Sequence, residues 1–182
     1  MNILLAFAPF AAFAVLERLI GPAWSLAAAA AASAALLLRD LLVPGRRPKF
    51  LEIGTFLLFG GLASFIAITG AEPSVMGVRV CVDSGLLLIV LLSLALGHPF
   101  TLQYAKEKVR PSLWNSPRFL RTNYVLSGAW ALAFAVMVST ELALLLVPSL
   151  PHRLGIAVIV LALVGAFRFT RWYPSRLRLP SL

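Results

Sequence analysis

Apolar residues run along this chain in six stretches: 3–20, 24–43, 51–70, 78–97, 124–147 and 154–169. Each is close to the ~20 residues that a helix needs to cross hydrocarbon. Punctuation falls between them. Gly21-Pro22 follows the first stretch, Pro44-Gly45 the second, and Pro148 and Pro151 lie after the fifth. Glycine and proline end helices and turn the chain. The pattern predicts an all-α fold, a polytopic transmembrane helical bundle of six spans in three hairpins, with 1–182 forming one transmembrane domain. Small residues inside the stretches predict helix contact faces, because close backbone approach replaces the hydrophobic drive in lipid. The Ala27 to Ala32 run is one such face, and Gly60, Gly61 and Ser64 form another.

One polar segment is longer than a turn requires, at 98–123. Thr101 is the expected cap of a short helix that carries Lys106, Glu107 and Lys108 and is limited by Pro111. Leu102, Tyr104, Ala105 and Val109 give that helix an apolar side, which predicts an interfacial helix between spans four and five. Ser116-Pro117 then reads as an N-cap followed by proline at the first helical position.

Composition removes the soluble classes. The chain is 60% hydrophobic and 13% charged, and in water such a surface would carry large apolar patches. The first stretch holds an Ala12-Phe13-Ala14 sequence that resembles a signal-peptidase site, but no Lys or Arg precedes it. The expectation is a retained helix. Cys81 stands alone and cannot form a disulfide within the chain; it is expected to be a small apolar filler.

Charge fixes direction. Of the 16 Lys and Arg residues, 13 fall in alternate loops on one side: Arg39, Arg46, Arg47, Lys49, Lys106, Lys108, Arg110, Arg118, Arg121, Arg168, Arg171, Arg176 and Arg178. Arg18, Arg79 and Arg153 fall on the other. Basic loops stay in the cytoplasm, so both termini of this multi-pass protein are expected there. Trp172 and Tyr173 suit an aromatic belt at that face, and Trp24 suits the opposite one. The net charge of +9 is thereby spread among loops. It forms no arm or single face, which argues against a nucleic-acid partner. The expected partners are membrane lipids, another membrane protein, and a second copy of the chain. The 98–123 segment is the best candidate contact surface. Its residues Lys106, Lys108, Arg110, Trp114, Arg118 and Arg121 mix cations with an aromatic ring.

Charged groups at membrane depth are functional candidates. Glu17, Arg79, Asp83 and Glu141 lie on the outer half of their spans. One reading is a polar pocket for a proton, an ion or a lipid headgroup. The other is structural: Asp83 pairs with Arg79 one turn earlier, while Glu17 and Glu141 reach toward interfacial water. No catalytic residue set, metal-ligand spacing or cofactor motif is evident. His98 and His152 fall on opposite faces of the predicted topology. The expectation is a non-enzymatic protein with no cofactor and no metal.

The layout resembles the intracellular septation protein A family of bacterial inner-membrane proteins over almost the whole chain. The matching features are Phe7-Ala8-Pro9, Phe59-Gly60-Gly61-Leu62, Pro99, and Trp130-Ala131 with Phe134. The family has an asparagine shortly before that tryptophan, whereas here Asn123 lies seven residues before Trp130 and Ser127 is nearer. The Pro99 to Ala105 segment, Pro-Phe-Thr-Leu-Gln-Tyr-Ala, is similar to a less characterised related set. The resemblance implies a location in a bacterial inner membrane and a role in septation, cell division or envelope maintenance through contacts with other division or envelope membrane proteins, with five spans as the usual family count. The alternative from the residues alone is a small transporter or channel for protons, ions or lipids that uses the outer-half acids.

Overall fold

The computed structural model describes residues 3–44, 48–147 and 149–176. Gly45, Arg46, Arg47, Pro148 and Arg178, used above, lie outside the described residues. The described chain is helical, with no strand. The helices are α1 (Ile3–Ala6), α2 (Ala8–Ile20), α3 (Pro22–Leu42), α4 (Phe50–Thr69), α5 (Val75–Ala95), α6 (Phe100–Lys106), α7 (Pro117–Leu146) and α8 (His152–Arg176), and a 3-10 turn spans Pro111–Leu113. Among the described residues, five helices are long and apolar enough to cross a bilayer: α3, α4, α5, α7 and α8. They mark a membrane protein.

The first apolar stretch is divided. Proline at position 9 has no N–H to give the Leu5 carbonyl and its ring crowds that carbonyl, which favours a break in the helix just before it. Phe7 separates α1 from α2. The 13 residues of α2 extend ~20 Å at helical rise, short of the ~30 Å hydrocarbon layer. Elsewhere the predicted stretches coincide with helices to within a few residues. The exceptions are α7, which begins at Pro117, ahead of the apolar stretch at 124, and α8, which continues past 169 to Arg176.

The chain divides into two compact units, Asn2–Ile89 and Val90–Leu182, with the boundary inside α5. The first unit packs Phe13 of α2, Leu26 and Ala29 of α3, Phe59 of α4, and Val78 and Val82 of α5 into one core. Phe59 meets Phe10 and Phe13 at ring-centroid distances of 5.0 and 5.8 Å. Between α2 and α3, Gly21 takes φ 81°, a region closed to most L-residues, and Pro22 starts α3. Only one stripe of the alanine run is buried. Ala29 continues Ser25 and Leu26 toward Ser33 at helical spacing, while Ala27 and Ala31 are exposed. The two buried hydroxyls bond back to their own helix, Ser25 to the Pro22 carbonyl and Ser33 to the Ala29 carbonyl.

The close helix approach uses other glycines than those expected. A Cβ on Gly54 of α4 would lie 2.8 Å from Ile89, and one on Gly85 of α5 would lie 2.4 Å from Leu58. A Cβ on Gly60 or Gly61 would meet nothing within 4 Å, and Ser64 is exposed. Within the described chain, the Gly60, Gly61 and Ser64 stripe therefore makes no such contact.

The second unit is built on α7 and α8. Trp130 Nε1 donates to Thr170 Oγ1 at 2.9 Å, and Leu144 fills the space a Cβ on Gly155 would need. Ser116 caps α7 by accepting from the Phe119 N–H, with Pro117 next in line, as its sequence predicts.

Candidate functional site

Three polar groupings emerge. The first joins two of the four outer-half residues. Arg79 Nε lies 3.2 Å from Glu17 Oε1, and the Glu17 carboxylate is buried while Arg79 is 31% exposed. The guanidinium on α5 thus bridges a buried acid on α2 to the surface of the unit. Asp83 lies one turn along α5 and is half-buried, near enough to act on Glu17 electrostatically. Glu17 does not snorkel to water; Arg79 comes to it instead. Glu141 is buried in α7 and belongs to the other unit.

The second grouping was not anticipated from sequence. Asp40 is wholly buried in the last turn of α3 and pairs with Lys49, itself 4% exposed, at the start of α4. Lys49 Nζ also stands 3.6 Å from Glu52 Oε1. Arg39 Nη2 donates to Asp40 Oδ1 at 2.9 Å. Asp40 sits at a helix C-terminus and Lys49 at an N-cap, each the unfavourable end for its charge. Pairing offsets both penalties and closes the α3–α4 hairpin. The cue in the sequence was two acids flanking a break rich in cations. Arg39 and Lys49 had an adequate explanation as topology signals, which left Asp40 and Glu52 unread.

The third grouping lies under the 98–123 segment. Thr101 does not cap α6. Pro99 holds the N-cap position without a side-chain bond, and Thr101 stands inside the helix, buried against α7. The first free N–H groups of α6 find partners from outside it. Phe100 N–H donates to Ser93 Oγ and Thr101 N–H to Ser127 Oγ, both at 3.3 Å. Thr101 Oγ1 donates to the Asn123 carbonyl at 2.9 Å and lies 2.8 Å from Ser127 Oγ. Phe100, Thr101, Leu102 and Tyr104 are buried, so α6 is held to α7 through most of its length. Glu107 and Lys108 follow its end at Lys106.

The basic residues of this segment stand on that anchored base. Lys108, Arg110, Arg118 and Arg121 are exposed and Lys106 is half-buried. Trp114 is pinned by its Nε1 donating to the Val109 carbonyl at 2.9 Å, with Lys106 Nζ 5.6 Å from its ring centroid. The segment is thus a folded basic surface.

Among the described residues no group of three His, Cys, Asp or Glu side chains gathers to hold a metal. His98 and His152 are both exposed. Cys81 is exposed on α5 and fills no interior space. An open apolar groove of about 560 Å³ runs along α7 and α8, lined in part by Leu132, Val136, Thr140 and Leu154. The Thr140 hydroxyl there is spent on the Val136 carbonyl at 2.7 Å. No family model, no curated protein and no solved structure matches this chain.

Proposed function

We propose that this protein is a non-enzymatic component of a bacterial inner membrane that works by contact with other envelope membrane proteins. The basic segment between α6 and α7 is its contact surface, and related roles in septation or envelope maintenance follow from the resemblance to the septation protein A family. The observation that carries the proposal is the anchoring of α6. Four buried polar groups, Ser93, Thr101, Asn123 and Ser127, fix the base of the segment, and the cations above it project from an ordered frame. Preordered surfaces lose less conformational entropy on binding. With six spans, the division at Phe7 is a break within the first of them, and both termini face the cytoplasm.

The test is in vivo photocrosslinking from positions 108, 112 and 115 of the full chain. Defined membrane-protein adducts are expected, and Arg118→Ala with Arg121→Ala should reduce them while leaving membrane levels unchanged. Replacement of the whole segment without loss of any adduct or envelope phenotype would sink the proposal.

The Glu17–Arg79 pair supports a second function, a small proton or ion transporter. It predicts a flux in liposomes that Asp83→Asn abolishes. Wild-type liposomes with no proton or cation flux would eliminate it.

A further inference from the structure

We infer that the C-terminal end of α8 is a binding site for the headgroup of an anionic diacyl phospholipid. Four side chains, Phe167, Arg168, Arg171 and Trp172, line a shallow depression of about 450 Å³ there. Helix geometry explains why they share a face. Ala166, Thr170 and Pro174 recur every four residues on the side of α8 that packs inward: Ala166 and Pro174 are buried and Thr170 accepts the Trp130 hydrogen bond. At ~100° per residue, Arg168 falls opposite that side and Arg171 falls on the flank beside it, and both are exposed.

The site is preorganised and uncompensated. The Arg171 guanidinium stands 4.4 Å from the Phe167 ring centroid, a cation–π distance that holds one face of the guanidinium out of water. Its edge is left to donate to phosphate oxygens, for which the guanidinium fork is suited. No acidic residue occurs in α8, and among the described residues neither Arg168 nor Arg171 forms an ion pair.

The same face continues as hydrocarbon-exposed surface. Val160, Leu161 and Val164 lie one to two turns earlier on this side and are 51%, 70% and 48% exposed. An apolar column leading into a pair of arginines matches acyl chains below a phosphodiester. An acidic protein partner would match the arginines and leave the column unaccounted for. Trp172, 51% exposed, sits at the level where aromatic rings meet headgroups.

The test uses the full-length protein purified in neutral detergent and native mass spectrometry with phosphatidylglycerol or phosphatidylcholine of matched chains. Preferential retention of phosphatidylglycerol is expected. Arg168→Gln with Arg171→Gln should weaken that retention roughly 10- to 30-fold, from the usual contribution of a cation near an anionic headgroup. Arg153→Gln, at the other end of α8, should leave it unchanged. Phe167→Leu keeps every charge and should weaken retention a few-fold by releasing Arg171 from its ring, which serves if the double variant fails to fold. Equal retention of the two lipids by the wild type, undiminished preference in a folded double variant, or displacement of the lipid by millimolar inorganic phosphate would each overturn the assignment.

Discussion

Lys49 is the side chain on which the most buried charge depends. It is all but buried beside Asp40 and Glu52, whose side chains are 0% and 1% exposed. Removing one member of a buried ion pair strands the other, at a typical cost of about 3–5 kcal/mol. Lys49→Met is therefore expected to lower stability by that order, read as a fall in detergent melting temperature. Arg39→Gln touches the same Asp40, but Arg39 is 33% exposed. A partly hydrated partner contributes less, and a loss within about 1 kcal/mol is expected. Equal losses for the two variants would show that Lys49 does not carry the cluster. The Glu17–Arg79 pair allows a cleaner separation of structure from transport. If the pair is structural, Arg79→Gln destabilises and Glu17→Gln with Arg79→Gln restores much of the loss, because the buried carboxylate is gone. A double variant as unstable as the single would contradict a direct coupling.

At the scale of elements, the attachment of α6 and the crossing of α4 with α5 are the informative contacts. α6 is too short to be stable alone. It persists because its first N–H groups reach Ser93 and Ser127 and because Thr101 reaches the Asn123 carbonyl. Ser127→Ala removes the acceptor for the Thr101 N–H and should cost about 1–3 kcal/mol locally. Hydrogen exchange should accelerate at residues 100–106 and remain slow in the middle of α7. Uniform acceleration across α7 would mean that the serine supports the whole unit instead. Sequence showed that a short helix belonged here and placed the Ser116 cap correctly. It could not show that Thr101 points across to α7, since a threonine near a helix start reads as a cap unless the neighbouring helix is known. The glycines teach a related lesson. Gly60-Gly61 is the more conspicuous pair, yet Gly54 and Gly85 are the positions where side chains of the opposing helix occupy the missing Cβ. Gly85→Val should overlap Leu58 and cost about 1–3 kcal/mol by overpacking, whereas Gly61→Ala should leave the melting temperature of the monomer unchanged or raised. Spacing along one helix cannot say which of its faces meets another.

For the whole molecule, the path of the N-terminal stretch sets how many times the chain crosses. If α1 and α2 together span the bilayer, the chain crosses six times and its two ends share a side. If they lie short of spanning, the five long helices put the ends on opposite sides. Single cysteines introduced at positions 2 and 180 in a Cys81→Ser background distinguish these by labelling with a membrane-impermeant maleimide in intact cells. Protection of both is expected, with labelling only after permeabilisation. Labelling of position 2 alone in intact cells would establish five crossings.

The sequence by itself determined the solvent of this protein, its helical class, the turns that separate five long helices, and the uneven distribution of cations. These follow from local rules: hydrocarbon requires every backbone group to be satisfied within a helix, glycine and proline act where they stand, and charge counts need no contacts. Only the tertiary structure decided which polar residues meet. Asp40 finds Lys49 across a hairpin, Glu17 finds Arg79 from another helix, and Thr101 finds Ser127 instead of its own helix end. Such pairings depend on the rotation of each helix about its axis. In a bilayer that rotation is set by packing between helices rather than by a polar face turned toward water, so an apolar run does not encode it alone.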